Sequence, residues 1–511
     1  MAPRAPPHYA RGPMKPPPPP RPSRPGVAGA ALYLLWTALV IAAPLAAAWV
    51  ASSLAAHAGW SARAAAASGL LVFPALPAAW EAFAAWRRRK KPPARRFLTL
   101  TDRLVLRTLA VSLLFIGGLL AADPERAFVA LNGRGDWMLD GRHDARAESA
   151  RRALFWTAAR FQWLHRLVDR NPFREGEHTA PRPRPLPTRD VAVEVTPPPD
   201  RPTPSNDRPT PPPAPEAPAA PPPDPGAWPW DGALHPAVAA LPAAVETSPE
   251  AVGRHLASVE RDPLRLARAV HDYVADRVVY DVESYRSGRY PPQDAETTFR
   301  TRKSVCAGYA ALFVAIGRAA GLTVETVVGR ARGAVDGMGE GHAWSAVKLD
   351  NRWHLLDATW DAGTVGPDGF HKRFGTRYFL TPPEVFVARH FPDDARWQLL
   401  AAPRSAGDFL RAPMLDPDFF AYGLRLVSPD RAESDARGEV AVTVENPRRI
   451  SLTATVRPDG GESARCEGTG DAVATARCPL RGGDLHEVVI FAAEQRFTTH
   501  WSVGALKVHN R

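Results

Sequence analysis

Lys303-Ser304-Val305-Cys306-Ala307-Gly308-Tyr309-Ala310 opens an apolar run that ends at Gly321, and a second block follows from Gly341 to Trp360. That block reads Gly341-His342-Ala343-Trp344-Ser345-Ala346-Val347-Lys348-Leu349, then Asp350-Asn351, then Arg352-Trp353-His354-Leu355-Leu356-Asp357-Ala358-Thr359-Trp360. The first run predicts a helix with Cys306 in its opening turn. Backbone N–H groups without helical partners, and the positive end of the dipole, favour thiolate there. The bland alternative is a buried structural cysteine, a small hydrophobe in a core. The second block predicts a strand, a turn and a strand. A two-residue turn at Asp350-Asn351 sets Leu349 opposite Arg352 and His342 opposite Thr359. Strand side chains alternate, so Asp357 shares a face with Thr359 and lies diagonal to His342. A nucleophile, an imidazole to carry its proton and a carboxylate to orient the imidazole are the parts of a cysteine-nucleophile site. Cys306, His342 and Asp357 supply them in that chain order.

Other histidines fit less well. His354 has the opposite strand parity to Asp357, and His271, His371 and His390 have no acidic neighbour set by a comparable hairpin; all read as surface or core residues. Asp361, the rival carboxylate, lies past Trp360, where the strand is expected to end.

Val305 to Ala310, Gly341 to Trp344 and Leu356 to Trp360 together resemble the catalytic core of the transglutaminase-like superfamily, over roughly residues 265 to 365. Tyr378-Phe379-Leu380 and His390 to Leu400 look like the extension of its kyphoscoliosis-peptidase branch. The resemblance implies a papain-like α+β fold and a thioester-forming peptidase or protein cross-linker. The calcium loops of animal cross-linking enzymes have no matching acidic cluster here, so no metal and no cofactor are expected. Cys306 N–H should supply one oxyanion donor, and Gln293 or Tyr280 is open as the second. Gln293 is equally readable as a plain loop residue.

Outside this core, composition is uneven. A chain of 511 residues is too long for one core. Its net charge of +11 would suit nucleic acid, but the densest basic run, Arg87 to Lys91 with Arg95 and Arg96, lies between apolar stretches and has no interleaved stacking aromatics. Nucleic-acid binding is therefore set aside. Val27 to Val50, Ala64 to Trp80 and Leu104 to Ala122 predict three membrane spans, the second kinked by Pro74 and Pro77, with Arg107 of the third snorkelling to the interface. Basic flanks place the N-terminal tail and the Arg87–Arg96 run in the cytoplasm, and everything after Ala122 on the periplasmic or extracellular side.

The expected organisation is a disordered Pro/Arg-rich tail (1–26), a membrane region (27–122), a helical juxtamembrane segment (123–175), a Pro-rich linker (176–226), the catalytic domain (227–400) and a β-rich domain (401–511). The juxtamembrane helix is expected over Ala145 to Arg170, and the linker as an extended polyproline spacer. The fold class is α+β: a papain-like core behind a multi-helix membrane anchor, followed by a small antiparallel β domain. Cys466 and Cys478 in the last domain are candidates for a disulfide outside the cytoplasm. The Arg134-Gly135-Asp136 tripeptide is assigned no function. These features predict a membrane-anchored enzyme acting on a peptide or protein, with hydrolysis favoured because no dedicated amine site is evident. Cell-envelope peptides and proteins are the location-based substrate class. The rival is a non-catalytic binding module in the envelope.

Overall fold

The computed structural model describes residues 27–89, 97–140, 142, 144–160, 171–173, 193–194, 228–335, 337–469, 472–496 and 498–511. The tail, most of the basic run, the last turns of the expected juxtamembrane helix and nearly all of the linker lie outside them. Two compact units result: residues 1–48 with 70–116, and residues 49–69 with 117–511.

Three helices are long and apolar enough to cross a membrane: Ala31–His57, Ala62–Arg88 and Leu100–Ala122. The first belongs to α1 (Val27–His57) and the third is α4 (Leu100–Ala122). The second is interrupted, with α2 (Ala62–Leu70) and α3 (Leu76–Arg88) joined by a π-type turn at Leu71–Ala75. Phe73 leaves the helical region there, with φ −148° and ψ 124°. Pro74 explains this, because proline disfavours the α conformation of the residue before it and donates no backbone hydrogen bond. In the first unit Glu81 accepts hydrogen bonds from Arg88 at 2.7 Å and Arg103 at 3.2 Å, and is also paired with Arg107. Arg107 therefore does not snorkel as expected. A carboxylate in an apolar helix region costs several kcal/mol unless neutralised, which outweighs the freedom of three exposed guanidinium groups.

In the second unit, α5 (Pro124–Arg134) and α6 (Ala145–Ala159) precede the region that carries Cys306 and His342. Asp136 is fully buried and accepts from Arg151 at 2.8 Å and Arg431 at 2.9 Å, while Arg134 is 2% exposed. The tripeptide noted above is thus interior packing. Of the linker, Val193–Glu194 are described, and they pair antiparallel with Thr499 and His500.

The catalytic region begins with α7 (Pro249–Val259) and α8 (Pro263–Arg277), whose caps Ser248 and Asp262 accept from Ala251 N–H and Arg265 N–H. Then α9 (Cys306–Ala319) packs on a four-stranded antiparallel sheet. Its strands β1 (Thr323–Ala331), β2 (Glu340–Leu349), β3 (Arg352–Leu356) and β4 (His390–Pro392) lie in the order β3-β2-β1-β4. Leu312, Phe313 and Ile316 of α9 share one core with Tyr273, Val324, Val347 and Phe379.

Asp350 and Asn351 both have positive φ, 46° and 61°, as a two-residue hairpin turn of the primed type requires, and Leu349 faces Arg352. The β2–β3 ladder, however, ends at Ser345 opposite Leu356. His342 consequently does not face Thr359; its ladder neighbour is Gly329 of β1. The chain leaves the sheet at Asp357, whose N–H donates to Tyr378 O at 3.0 Å and whose carboxylate accepts from Thr359 N–H at 2.9 Å. That local turn competes with continued pairing and wins.

The C-terminal region is a two-sheet sandwich. Its strands include β5 (Glu439–Glu445), β6 (Ser451–Pro458), β7 (Val473–Pro479), β8 (Leu485–Ala493) and β9 (Thr499–Asn510). β5 pairs with β7 in one sheet, and β8 lies between β6 and β9 in the other. Alternate residues Val440, Val442 and Val444 of β5 meet Val456, Val488 and Ile490 across the core. Pairing is antiparallel except for Glu433–Ala436, which runs parallel to β9. Cys466 and Cys478 form a disulfide.

Candidate active site

The start of α9 is fixed by small side chains and one amide. A Cβ added at Gly308 would lie 1.9 Å from Ser304 Oγ and 2.3 Å from Thr298 Oγ1, so only glycine allows the first turn to sit this close to the preceding strand. Gln293 Oε1 accepts from Ser304 Oγ–H at 2.6 Å and Val305 N–H at 3.1 Å, and its Nε2 donates to Pro291 O at 2.9 Å. Gln293 thus shapes the turn into Cys306, which occupies both ends of its amide. Tyr280, the other oxyanion candidate, packs against Tyr285 and Tyr309. Burial first, and then the neighbouring Cys306, hold the Tyr280 phenol well above its ordinary range; the same causes push Tyr290 up to about 12. Tyr285 donates to Glu340.

Cys306 is 1% exposed and is the one cysteine outside the disulfide. It packs with Ala310, Ala343 and the half-buried Phe173. Phe173 also meets the Tyr290 ring at 5.5 Å. The segment carrying it is anchored by Asn171, fully buried, whose Nδ2 donates to Gly329 O at 2.6 Å. A Cβ on Gly341 would come within 2.7 Å of Asn171 Oδ1 and 2.9 Å of Pro172 Cδ. Residues 171–173 therefore lie over the strand that carries His342.

His342 is buried, and its Nε2 is 2.7 Å from Asp357 Oδ2. The remaining ring nitrogen, Nδ1, is the one available to the hydrogen bond with Cys306. Burial alone would lower the basicity of this imidazole. The charge of Asp357, then Cys306 and the hydrogen bonds to both, reverse that and raise the pKa to about 10. Asp357 is held well below the carboxylate range: burial opposes its charge, but His342 and a second histidine outweigh the penalty.

That second histidine is His390, fully buried, with Nε2 at 3.0 Å from the same Asp357 Oδ2. Burial, opposed by its bond to Asp357, lowers its pKa to about 4. All three histidines set aside for want of an acid placed by a comparable hairpin nevertheless meet a carboxylate. His271 lies buried between Asp272 at 2.9 Å and Asp361 at 3.1 Å, and exposed His371 meets Asp368 at 2.8 Å. Asp361 also accepts from Tyr378 N–H at 2.9 Å, so the rival carboxylate braces the loop behind Asp357 rather than approaching His342. His390 escaped the sequence reading because β4 has three residues and reaches the site only through a long-range pairing, Ala331 with His390. No local periodicity encodes that.

His342, Asp357 and His390 bring their ligand atoms within 4.8 Å of one another. Both imidazoles aim Nε2 at one carboxylate oxygen, at 2.7 and 3.0 Å, which is hydrogen-bond geometry.

The geometry thus joins a cysteine at a helix start, a basic imidazole and an ionised carboxylate, the groups needed for covalent acyl transfer. Residues 250–358 match the family model for the transglutaminase-like superfamily. This stretch is a transglutaminase-like domain. Kyphoscoliosis peptidase of Mus musculus is 33% identical over 192 residues, 36% of this chain and 29% of that protein. The Homo sapiens protein of the same name is 32% identical over the same shares. Hillarin of Drosophila melanogaster is 28% identical over 95 residues, 16% of this chain and 12% of that protein. The chain spans less than a third of the length of these relatives. A solved structure titled "Crystal structure of a TGase" is 24% identical, with a TM-score of 0.18, covering 22% of this chain and 31% of that one; at that score it adds no argument. The transglutaminase-like domain occupies the helix and sheet that carry Cys306 and His342, and its last residues include Asp357.

Proposed function

We propose that the transglutaminase-like domain is a cysteine-dependent amide hydrolase or acyl-transfer enzyme acting on peptides or proteins. The observation that carries this is the His342 Nε2 to Asp357 Oδ2 contact of 2.7 Å on an imidazole that also bonds Cys306. The Cys306 thiol gives its proton to His342, and the sulfur attacks the amide carbonyl carbon. The negative oxygen of the tetrahedral adduct is stabilised by Cys306 N–H at the start of α9, with Tyr280 O–H as the second candidate donor. Collapse breaks the C–N bond, and His342 returns the proton to the leaving amine. A thioester remains. Water attacks it while His342 takes one of its protons, releasing the acid and restoring the thiol; a lysine amine in place of water gives a cross-link. Asp357 keeps the imidazole oriented throughout. The named peptidase relatives support hydrolysis.

The proposed setting is a multi-pass membrane protein with the enzyme on the periplasmic or extracellular face. What supports this is three helices long and apolar enough to cross a membrane, with a basic run between the second and the third. The basic run between the second and third helices then faces the cytoplasm. The disulfide suits an oxidising compartment.

The test is the rate of iodoacetamide alkylation of Cys306 against pH, in full-length protein in detergent, for wild type and His342→Ala. A thiolate-driven rate at mildly acidic pH that vanishes in the variant supports the enzyme. A profile like that of a free thiol, near 8.5 and indifferent to His342, leaves a binding module.

A further inference from the structure

Asp357 is a buried carboxylate whose four acceptor positions are all used. Oδ1 accepts from Thr359 N–H at 2.9 Å and Trp360 N–H at 3.3 Å, and Oδ2 from His342 at 2.7 Å and His390 at 3.0 Å. A carboxylate offers about four lone-pair sites, so His390 completes the shell. The His390 ring itself is fixed on every side. It stacks on Phe386 with centroids 4.2 Å apart, and meets Trp360 at 4.6 Å, Trp344 at 5.2 Å and Tyr378 at 5.3 Å. A ring this well enclosed is either inert filling for an aromatic core or a rigidly aimed donor. Its position decides between them, since it directs a nitrogen at the one oxygen that His342 uses. An ionised carboxylate only accepts, so the nitrogen facing it carries the proton.

We propose that His390 is a positioning residue of the catalytic centre, whose Nε2–H holds the Asp357 carboxylate in the orientation that aligns His342 with Cys306. The inference rests on the enzyme reading above. The two backbone donors hold Oδ1, and without His390 the other oxygen keeps His342 as its one donor, so Oδ2 is freer to shift relative to the His342 ring. Burial is the largest influence on Asp357 and opposes its charge. Removing one of four donors raises the cost of that buried charge and loosens the Oδ2 contact on which the basicity of His342 depends. His390 stays neutral while it does this, so it adds no positive charge to compete with the His342 imidazolium. The other titratable groups facing it are His342, Asp357 and the Tyr378 phenol.

Alkylation of Cys306 by iodoacetamide tests this in the full-length chain in detergent, because the other two cysteines are bonded to each other. His390→Leu keeps apolar volume and removes the donor; His390→Gln keeps an amide N–H near the position of Nε2. In wild type the rate-pH profile should carry a second, alkaline inflection as His342 loses its proton. That inflection should fall by about one pH unit in His390→Leu, a tenfold loss of proton affinity, and return in His390→Gln. In a His342→Ala background His390→Leu should change nothing further, since the effect runs through His342. An alkaline inflection that stays in place in His390→Leu, or moves equally in Leu and Gln, overturns the proposal and makes His390 core filling. Additive losses in the double variant overturn it as well. If the leucine variant does not fold, His390→Asn, whose shorter amide falls short of Asp357, takes its place. A wild-type profile indifferent to His342→Ala would instead refute the enzyme reading itself.

Discussion

Phe173 packs against the small buried cluster that contains Cys306, the cysteine proposed as nucleophile. Cys306 itself is 1% exposed, and Phe173 is part of the cover over its cluster. Burying a phenylalanine ring is worth about 1.5–3 kcal/mol, which corresponds to roughly a tenfold or larger change in how often the site opens. Phe173→Gly should therefore speed alkylation of Cys306 about tenfold at fixed pH, with its pH dependence unchanged. An unaltered rate would show that reagent reaches the thiol by another side.

His342 makes stability pH-dependent in a defined sense. Its folded pKa of about 10 lies above the ordinary value of 6.5, so the native state binds the proton more tightly than the unfolded chain. The stabilisation is fully present below about pH 6.5 and is lost as pH rises through 10. The difference in thermal midpoint between wild type and His342→Gln should shrink steadily over that window. A constant difference from pH 6 to 10.5 would contradict the ion pair.

Gly308→Ala places a methyl where Ser304 Oγ and Thr298 Oγ1 already sit. Both neighbours are themselves buried. Overpacking of this kind costs about 1–3 kcal/mol, and relief requires the first turn of α9 to move with Cys306. Lower thermal stability together with slower alkylation at mildly acidic pH is the expected pair of results. The double substitution with Ser304→Gly should recover part of both.

Glu81→Leu leaves Arg88, Arg103 and Arg107 without the carboxylate that joins them. Arg103 and Arg107 are only 13% and 15% exposed at their side chains, so a loss of about 3–5 kcal/mol is expected. Glu81→Gln, which keeps an acceptor but not the charge, should fall between. Thermal scans in detergent read this directly, and a leucine variant as stable as wild type would make the cluster a bystander.

Much of this was legible because it is local. The start of α9 at Cys306, the turn at Asp350-Asn351, the Pro74 kink and the alternation in β5 each follow from a handful of neighbouring residues. Asp357 was correctly paired with His342 for an incomplete reason. The hairpin brings the two together, but the expected ladder stops at Ser345 and Leu356, and the last step is a turn held by the aspartate's own carboxylate. His390, Asn171 and Phe173 were not legible as parts of the site, since each reaches it from a distant segment with no repeating pattern. Arg107 was misread because hydropathy along one helix says nothing about Glu81 on another.

The bond between Cys466 and Cys478 has a consequence for the redox chemistry of Cys306. With those two sulfurs joined, Cys306 has no intramolecular thiol with which to pair. Oxidation at this residue begins as a sulfenic acid or as a mixed disulfide with a molecule from outside, both of which a small thiol reverses, and a sulfenic acid not intercepted in this way goes on to the irreversible sulfinic and sulfonic acids. In an oxidising compartment the chain thus carries one sulfhydryl with no resolving thiol of its own.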